Sequence, residues 1–253
     1  MTLRLAISGF GRIGRMTLRA FQEMGHQDME VVLINSPGPV DTSAHLYEFD
    51  SVHGRAVDTV THGEDWMDVG SGKIHMSRER DPANIPHAAH GVDIVLECSG
   101  KFNSREASAT HLAAGAKKIL VSAPCKNADQ TIVFGVNESL LTADADVVSN
   151  ASCTTNCLAP VAKVLVDTVG IEVGYMTTIH AYTGDQPTLD SSHTDLRRAR
   201  AAAMSMIPTS TGATEAVGEV LPHLQGKLSG SAISVPTAIV SVVDLVVTIS
   251  RDT

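Results

Sequence analysis

The stretch Gly9-Phe10-Gly11-Arg12-Ile13-Gly14 reads G-x-G-x-x-G and carries the prediction of the fold. It directly follows the apolar run Leu3 to Ser8, which is typical of a buried parallel strand. Helical spacing of apolar residues runs from Arg15 to Met24, and Glu30 to Asn35 forms a second strand-like run. In this setting Gly11 would let a pyrophosphate approach the backbone, and Gly14 would allow close packing of helix on strand. The sequence therefore predicts a dinucleotide-binding βαβ unit.

The end of the second predicted strand bears on the choice of cofactor. An acidic residue is expected there to bind the ribose hydroxyls, but the chain reads Ile34-Asn35-Ser36. With Ser36 in the acid's place, the usual repulsion of a 2′-phosphate is missing, and no basic residue close in sequence selects that phosphate. We therefore expect a weakened preference for NAD and a tolerance of NADP.

The middle of the chain continues the alternation of strands and helices. Ile94 to Cys98, Lys118 to Val121 and Ile132 to Val136 are predicted strands, and Arg105 to Ala114 is a predicted helix. Small residues follow the strand ends, where a doubly wound sheet binds its ligand. These are Ser99, Gly100 and Ser122.

Longer strands after residue 150, such as Glu172 to Ala181 and Ile239 to Ile249, indicate a different second domain. The predicted fold class is α/β, with a Rossmann-type dinucleotide-binding domain over residues 1–150. An α+β catalytic domain with a mixed or antiparallel sheet is predicted over residues 151–253.

A reactive cysteine is predicted within Ser149-Asn150-Ala151-Ser152-Cys153-Thr154-Thr155-Asn156-Cys157. A strand-like run, Ala145 to Val148, leads into this stretch, and a helix-like run, Leu158 to Val169, follows it. The free N–H groups and the dipole of a helix start stabilise a thiolate, which is the reactive form of cysteine. The alternative is a small core cysteine before a helix, and the polar neighbours of Cys153 argue against it.

His180 lies downstream in a second strand-like segment and is the expected partner of a catalytic thiol. From these residues alone, hydrolysis of an acyl bond and oxidation of an aldehyde both stay open, and the N-terminal glycine motif favours oxidation. The long loop Tyr182 to Pro208 has the length of a functional loop. The stretch Thr209-Ser210-Thr211-Gly212-Ala213, at a predicted helix start, is either an anion site or an ordinary cap.

Composition excludes several classes of function. The chain has 253 residues, 43% hydrophobic residues, a net charge of −9 and no basic block, so we expect no nucleic-acid partner and no membrane surface. Its four cysteines do not form a secreted disulfide framework. Cys153 and Cys157 have metal-ligand spacing, but no further cluster completes a site, so we expect no metal. A cytoplasmic setting fits these features.

The motifs together resemble phosphorylating glyceraldehyde-3-phosphate dehydrogenase. The resemblance runs from Leu3 to about Ile249. It is carried by the glycine motif with Arg15, by the stretch around Cys153 and by four shorter motifs: Arg80-Asp81-Pro82, His180-Ala181-Tyr182-Thr183, Thr211-Gly212 and Val242-Val243-Asp244-Leu245. It implies an enzyme of glycolysis that oxidises glyceraldehyde 3-phosphate with NAD or NADP and inorganic phosphate, through a cysteine thioester, to an acyl phosphate. It also implies a homotetramer, which we expect to assemble through the Tyr182 to Pro208 loop.

The resemblance also implies residue roles. Cys153 would be the nucleophile and His180 its base. The cofactor site would include Gly9, Gly11, Arg12, Ile13, Gly14, Ser36, Arg80, Ser99, Gly100 and Ser122. Substrate or attacking phosphate would be held by Ser152, Thr154, Thr183, Arg198, Thr211 and Gly212.

The chain departs from the family pattern at the substrate-phosphate region. Ser234 stands where the family has an arginine, and Pro187 stands where it has a basic residue. A hydroxyl offers much less to a phosphate than a bidentate guanidinium, which predicts altered handling of a phosphorylated aldehyde. The family also continues beyond Thr253, so the catalytic domain is expected to be C-terminally incomplete. Two alternatives stay open: erythrose-4-phosphate dehydrogenase, and a non-catalytic cofactor-binding paralogue.

Overall fold

The computed structural model describes residues 2–251, and the chain divides into two compact units. The first unit runs to Thr131 and resumes at Leu141–Asn150. The second comprises Ile132–Leu140 and the chain from Ala151 onward. Residues 132–140 group with the second unit because Val133 and Val136 pack in its apolar core. The predicted domain division at residue 150 therefore differs from these units over residues 132–140.

The first unit is built around one sheet. Its elements are β1 (Leu3–Ser8), α1 (Arg12–Met24), β2 (Met29–Asn35), α2 (Val40–Glu48), β3 (Phe49–Asp50), β4 (Gly54–Arg55), β5 (Thr61–His62), β6 (Trp66–Asp68), β7 (Lys73–Ser77), β8 (Ile94–Glu97), α3 (Arg105–Ser108), α4 (Thr110–Ala113), β9 (Lys118–Val121), β10 (Gln130–Thr131) and β11 (Val147–Ser149). Within the described chain, nine strands pair in the order β10-β11-β9-β8-β1-β2-β7-β6-β5. Pairing is parallel from β10 to β7, and β6 and β5 are added antiparallel at one edge.

The strand order places a switch point at β1. The chain leaves β1 to build β2 on one side, and it later returns to build β8 on the other side. In doubly wound sheets, ligands bind outside the carboxyl ends of the strands at such a point. Gly9 follows β1 and Ser99 follows β8, so both lie at this edge. The predicted dinucleotide-binding fold is confirmed.

The second unit contains α5 (Cys153–Thr168), β12 (Val173–Ala181), β13 (Ile207–Thr209), α6 (Ala213–Val220), β14 (Leu228–Val235) and β15 (Val242–Thr248). The strands pair in the order β13-β14-β12-β15, parallel between β12 and β14 and antiparallel elsewhere. This is the predicted mixed sheet. Its inner face, including Met176, packs with Leu158 of α5 and Val217 of α6 in one core. No helix in residues 2–251 has both the length and the apolar character needed to cross a membrane.

Three predicted elements differ from the structure. Helix α1 begins at Arg12 rather than Arg15, because Gly11 already occupies the N-cap position. The predicted helix over residues 105–114 is two short helices, α3 and α4. The predicted strand over residues 132–136 is wrong: Asn137 accepts a hydrogen bond from Val133 N–H and holds a turn there.

Candidate active site

The thiol of Cys153 lies at the first residue of α5 and contacts a histidine. Its Sγ is 3.1 Å from Nε2 of His180, near the end of β12. Nδ1 of His180 is 2.7 Å from the carbonyl oxygen of Ala181, to which it donates. That bond leaves Nε2 facing the sulfur. A nucleophile beside a base that a third group orients is the arrangement required for covalent catalysis.

The two groups shift each other's pKa in opposite directions. The hydrogen bond with His180 lowers the pKa of Cys153, and the N–H and hydroxyl of Thr154 lower it further, against the opposing effect of burial. The same bond with Cys153 raises the pKa of His180, while nearby Arg198 lowers it. Both net shifts favour a thiolate beside an imidazolium. Cys153 is also exposed, so an external electrophile can reach it.

The start of α5 is fixed by its cap. Ser152 Oγ accepts a hydrogen bond from Thr155 N–H at 3.0 Å, and the Ser152 carbonyl accepts from the Asn156 side chain. Ala151 precedes the cap with φ at +57°, in the left-handed region. The predicted helix start at Cys153 is therefore observed. Ser152 serves as an N-cap, and Thr154 is buried beside the sulfur.

Arg198 is the cation near Cys153 and His180. A hydroxyl group and a carboxylate bind its guanidinium. Its Nε donates to Thr209 Oγ1 at 2.7 Å, and its Nη1 donates to Asp185 at 2.7 Å. His193 lies 3.2 Å from the same Asp185 carboxylate oxygen. Thr209 belongs to the candidate anion stretch predicted from the sequence, whereas Asp185 was not predicted as a site residue. Asp185 lies two residues after Thr183 in the chain, which is the one signal that could have found it.

The remaining predicted substrate residues lie in less organised positions. Thr183 is exposed, and Thr211 Oγ1 accepts from Ala213 N–H at the start of α6, which is the cap alternative. Gly212 is the N-cap residue of α6 and carries no side chain to bond. Ser234 is buried and pairs in register with His180 across β14 and β12. A residue at position 234 therefore lies beside the His180 imidazole on the same sheet.

The glycine motif of the first unit has the shape that a dinucleotide needs. Gly9 has φ at +89°, and a Cβ there would lie 2.4 Å from Ser99 Cα. A Cβ on Gly14 would lie 2.2 Å from the Gly9 carbonyl oxygen, so the turn and helix pack too closely for any side chain. Open space surrounds Gly11 at the N-terminus of α1, where a pyrophosphate would approach free N–H groups. These residues fit the predicted cofactor.

Other predicted cofactor residues surround this turn in the same unit. Arg12 is ion-paired with buried Asp50 at 3.0 Å, and Ile13 is exposed on the first turn of α1. The carboxylate is itself held by Val52 and His53 N–H groups, and although burial alone would raise the pKa of Asp50, these bonds and Arg12 hold it well below its usual range. Gly100 has φ at +71° and is exposed.

The end of β2 is tied to the loop after β7. Ser36 N–H donates to the Ser77 carbonyl at 2.9 Å, and the Asn35 side chain both donates to and accepts from the Glu79 backbone. This loop carries Arg78 and Arg80, both exposed and without an ion pair in the described chain. No basic residue lies close to Ser36 along the sequence, but the Ser36–Ser77 hydrogen bond brings the loop that carries Arg78 and Arg80 to the end of β2.

The second unit's Cys–His pair and the first unit's sheet define a class: a nucleotide-dependent enzyme that works through an activated thiol. The family profile "Glyceraldehyde 3-phosphate dehydrogenase, NAD binding domain" matches residues 3–105, and the profile of the C-terminal domain matches residues 152–253. The chain belongs to the glyceraldehyde-3-phosphate dehydrogenase family.

Several relatives carry that name. The protein of Cereibacter sphaeroides is 64% identical over 253 residues, which cover 100% of this chain and 75% of the relative. The protein of Xanthobacter flavus is 65% identical over 245 residues, with 97% and 73% covered. That of Geobacillus stearothermophilus is 53% identical over 253 residues, with 100% and 75% covered. The predicted family is confirmed.

Proposed function

We propose that this chain is an NAD(P)-dependent phosphorylating dehydrogenase that oxidises glyceraldehyde 3-phosphate with inorganic phosphate to the acyl phosphate. The observation that carries the proposal is the 3.1 Å contact between Cys153 Sγ and His180 Nε2, with a lowered thiol pKa. The shared name of the relatives supports this aldehyde over the erythrose 4-phosphate alternative. An activated, exposed thiol counts against the non-catalytic alternative, because a binding module has no need of one.

The chain's residues account for each proton. The Cys153 thiolate forms a C–S bond with the aldehyde carbon, and the imidazolium of His180 gives its proton to the developing alkoxide, yielding a thiohemiacetal. His180 then takes that hydroxyl proton back as the carbon is oxidised to a thioester. An oxygen of hydrogen phosphate attacks the thioester carbonyl, the C–S bond breaks, and the acyl phosphate leaves with the thiolate restored, while the proton of the attacking phosphate passes to solvent. The Thr154 N–H, which already faces the sulfur, would stabilise the oxyanion.

NAD, when bound, supplies the acceptor for the hydride that the oxidation releases. Gly9, Gly11 and Gly14 would admit its pyrophosphate at the start of α1, with Arg12 and Ile13 beside it. Ser99, Gly100 and Ser122 would line the same edge of the sheet. Ser122 N–H donates to the Glu97 carbonyl, which keeps it beside the residue that anchors Ser99.

Tolerance of NADP is part of the proposal. Ser36 presents no carboxylate to repel a 2′-phosphate, and the loop tied to it carries Arg78 and Arg80. The Ser36→Asp variant should therefore weaken NADP binding about 10-fold while changing NAD binding little, which corresponds to ~1.4 kcal/mol. Calorimetric titration with each dinucleotide checks this, with exposed Ser51→Asp as the control. Equal losses for both dinucleotides would remove Ser36 from the account.

Phosphate groups would be held by the hydroxyls and the cation near Cys153. These are Ser152, Thr154, Thr183, Arg198, Thr211 and Gly212 of the second unit. Ser152 caps α5, and Thr211 accepts from Ala213 N–H at the first residue of α6, which leaves neighbouring N–H groups at both helix starts for an anion. Ser234 should weaken binding of the substrate phosphate, because it offers a hydroxyl where the family has a guanidinium.

A cytoplasmic homotetramer is the proposed form. The outer face of the second unit's sheet exposes Val173, Tyr175, Ile179, Val242 and Val246. An apolar sheet face of this kind is a typical association surface. The loop over residues 182–208 exposes further apolar side chains, including Leu189 and Leu196, beside its arginines. The four cysteines are free, as a reducing compartment requires.

The decisive experiment is a matrix of purified chain, NAD or NADP, and several phosphorylated and plain aldehydes, each with and without inorganic phosphate. Reduced dinucleotide is followed by absorbance, and the acyl phosphate is trapped with hydroxylamine. We expect turnover with glyceraldehyde 3-phosphate that depends on phosphate. Turnover independent of phosphate, or none with any aldehyde, would exclude the proposed reaction.

A further inference from the structure

A fully buried chain of three ionisable side chains lies in the first unit, outside the residues used above. Glu97 is 1% exposed, and His111 and His87 are both 0% exposed. Glu97 Oε2 lies 3.0 Å from His111 Nε2, and His111 Nδ1 lies 2.9 Å from His87 Nε2. The three residues come from β8, α4 and the loop after residue 84, so only the folded unit brings them together.

The direction of these hydrogen bonds follows from His87, the last of the three hydrogen-bonded side chains. His87 Nδ1 is buried and has no hydrogen-bond partner among the described residues. A bare nitrogen lone pair is tolerated there better than a buried, unpaired N–H. His87 therefore donates through Nε2 to His111 Nδ1, and His111 donates through Nε2 to Glu97. Burial and the neighbouring His111 lower the pKa of His87 to about 4, which agrees with a neutral ring.

Glu97 connects this chain to the edge of the sheet where a ligand binds. Its other oxygen, Oε1, accepts from the backbone N–H of Ser99 at 2.7 Å and also from the Ser99 hydroxyl. Ser99 Oγ in turn accepts from Lys101 N–H at 3.1 Å. One carboxylate thus fixes the turn that follows β8. Within the described chain, His111 is the one basic side chain that contacts this carboxylate.

The turn held by Glu97 touches the glycine motif. The Gly9 Cα approaches the Ser99 backbone so closely that a Cβ would lie 2.4 Å from Ser99 Cα and 2.5 Å from Ser99 N. In close-packed interiors, a shift of one such surface moves the other. The position of the Ser99 turn therefore sets the shape of the loop that would receive the dinucleotide.

We infer that Glu97 and His111 are positioning residues of the dinucleotide site: the His111 hydrogen bond orients the Glu97 carboxylate, which holds the Ser99 turn against Gly9. This inference rests on the proposed function. Neither residue touches the cofactor. The hydrogen bond from His87 to His111 Nδ1 places the His111 proton on Nε2, which faces Glu97. A buried carboxylate that loses such a donor rotates or takes up a proton, and the turn it holds then moves.

The test compares His111→Leu with His111→Gln in the full chain. Glutamine keeps an N–H donor for Glu97, and leucine does not. We expect His111→Leu to raise the Kd for NAD, measured by calorimetry, at least about 10-fold, a size typical of second-layer partners. His111→Gln should stay within about threefold of the wild type. Turnover should show the same split, with the KM for NAD raised and kcat nearly unchanged.

Controls separate this effect from a general loss of structure. Exposed His62→Leu in the same unit should leave the Kd unchanged. Alkylation of Cys153 without cofactor should proceed at the wild-type rate in His111→Leu. If His111→Leu does not fold, Glu97→Gln carries the test, since it keeps the side-chain volume and removes the charge. It should raise the Kd in the same way.

Two results would overturn the inference. One is a wild-type Kd for NAD in His111→Leu or, if that variant does not fold, in Glu97→Gln. The other is an equal loss in His111→Gln and His111→Leu, which would indicate packing alone. Failure of the proposed function is distinguishable, because the wild-type chain would then show no phosphate-dependent oxidation of the aldehyde, whereas the inference is tested by the Kd for NAD.

Discussion

Among the hydrogen-bonded histidines of the described chain, His180 and His111 differ in burial and in the acid they contact. His180 faces an exposed thiol, whose pKa it lowers, whereas His111 faces a carboxylate that is 1% exposed. Exposure gives a bound molecule access to the first pair, as the proposed proton exchange with a substrate requires. Burial on all sides denies such access to the second, and its hydrogen bonds go entirely to neighbouring protein atoms. The same side chain is thus proposed to serve chemistry in one unit and positioning in the other.

The largest effect is expected from Cys153→Ser. A hydroxyl at this position is a poor nucleophile beside an imidazole and a poor leaving group in the second step, so aldehyde oxidation should fall about 10⁴-fold or more. Calorimetric binding of NAD should be unchanged. Cys157→Ser is the matched control, since this exposed cysteine lies one turn along the same helix and should keep full activity. Comparable losses in both variants would break the assignment.

Removal of the imidazole should give the next largest effect. His180→Asn should lower kcat about 10²- to 10⁴-fold, which is the usual contribution of a general base. The thiolate forms above the pKa of Cys153, and His180 lowers that pKa, so the pH midpoint of Cys153 alkylation should move upward. Iodoacetamide alkylation from pH 5 to 10 measures the midpoint. An unmoved midpoint would mean that the 3.1 Å contact does not activate the sulfur.

The buried system should instead respond through stability. Glu97→Leu leaves the Ser99 N–H and hydroxyl and the His111 N–H without an acceptor, which should cost about 3 kcal/mol of unfolding free energy. His180→Leu removes a partly exposed group and should cost less than about 1 kcal/mol. Urea unfolding of both variants, followed by circular dichroism, compares them. A reversed order would contradict the division into a chemical and a geometric histidine.

The smallest effect should come from the strand beside His180. Ser234→Arg would add a guanidinium next to the imidazole, and kcat/KM for glyceraldehyde 3-phosphate should rise about 10-fold, or ~1.4 kcal/mol. A plain aldehyde should gain nothing. Ser229→Arg, on the opposite face of the same strand, serves as the control. A gain that is equal for both aldehydes would show that position 234 does not face the substrate phosphate.

Local patterns predicted much of this fold. The bounds of β1 and β9 agree with the apolar runs in the sequence, and the helix start at Cys153 follows from the cap residues around it. The apolar run over residues 132–136 led to a wrong strand prediction. Val133 packs in the core of the second unit, whereas Phe134 is exposed. Apolar character alone does not distinguish a strand from a turn whose side chains happen to be apolar.

The site was predictable where neighbours in sequence are neighbours in space, and where side-chain chemistry pairs two distant residues, as with Cys153 and His180. Ser152 and Thr154 beside the sulfur needed no tertiary information. The place of Ser234 beside His180 depends on the register of β14 against β12, which no local pattern encodes. The same holds for Glu97, His111 and His87, which lie on three different elements. Hydrogen bonds over 14 and 24 residues joined them, and neither spacing has a recognisable signature.

The left-handed backbone of Ala151 has a consequence for anyone who moves the reactive turn to another protein. An alanine pays roughly 1 kcal/mol for that conformation, and a β-branched residue more, so a host scaffold must supply the compensating packing. Copying Cys153 and His180 alone would therefore transfer the two side chains without the backbone conformation that orients them. The smallest transferable piece begins two residues before the cysteine.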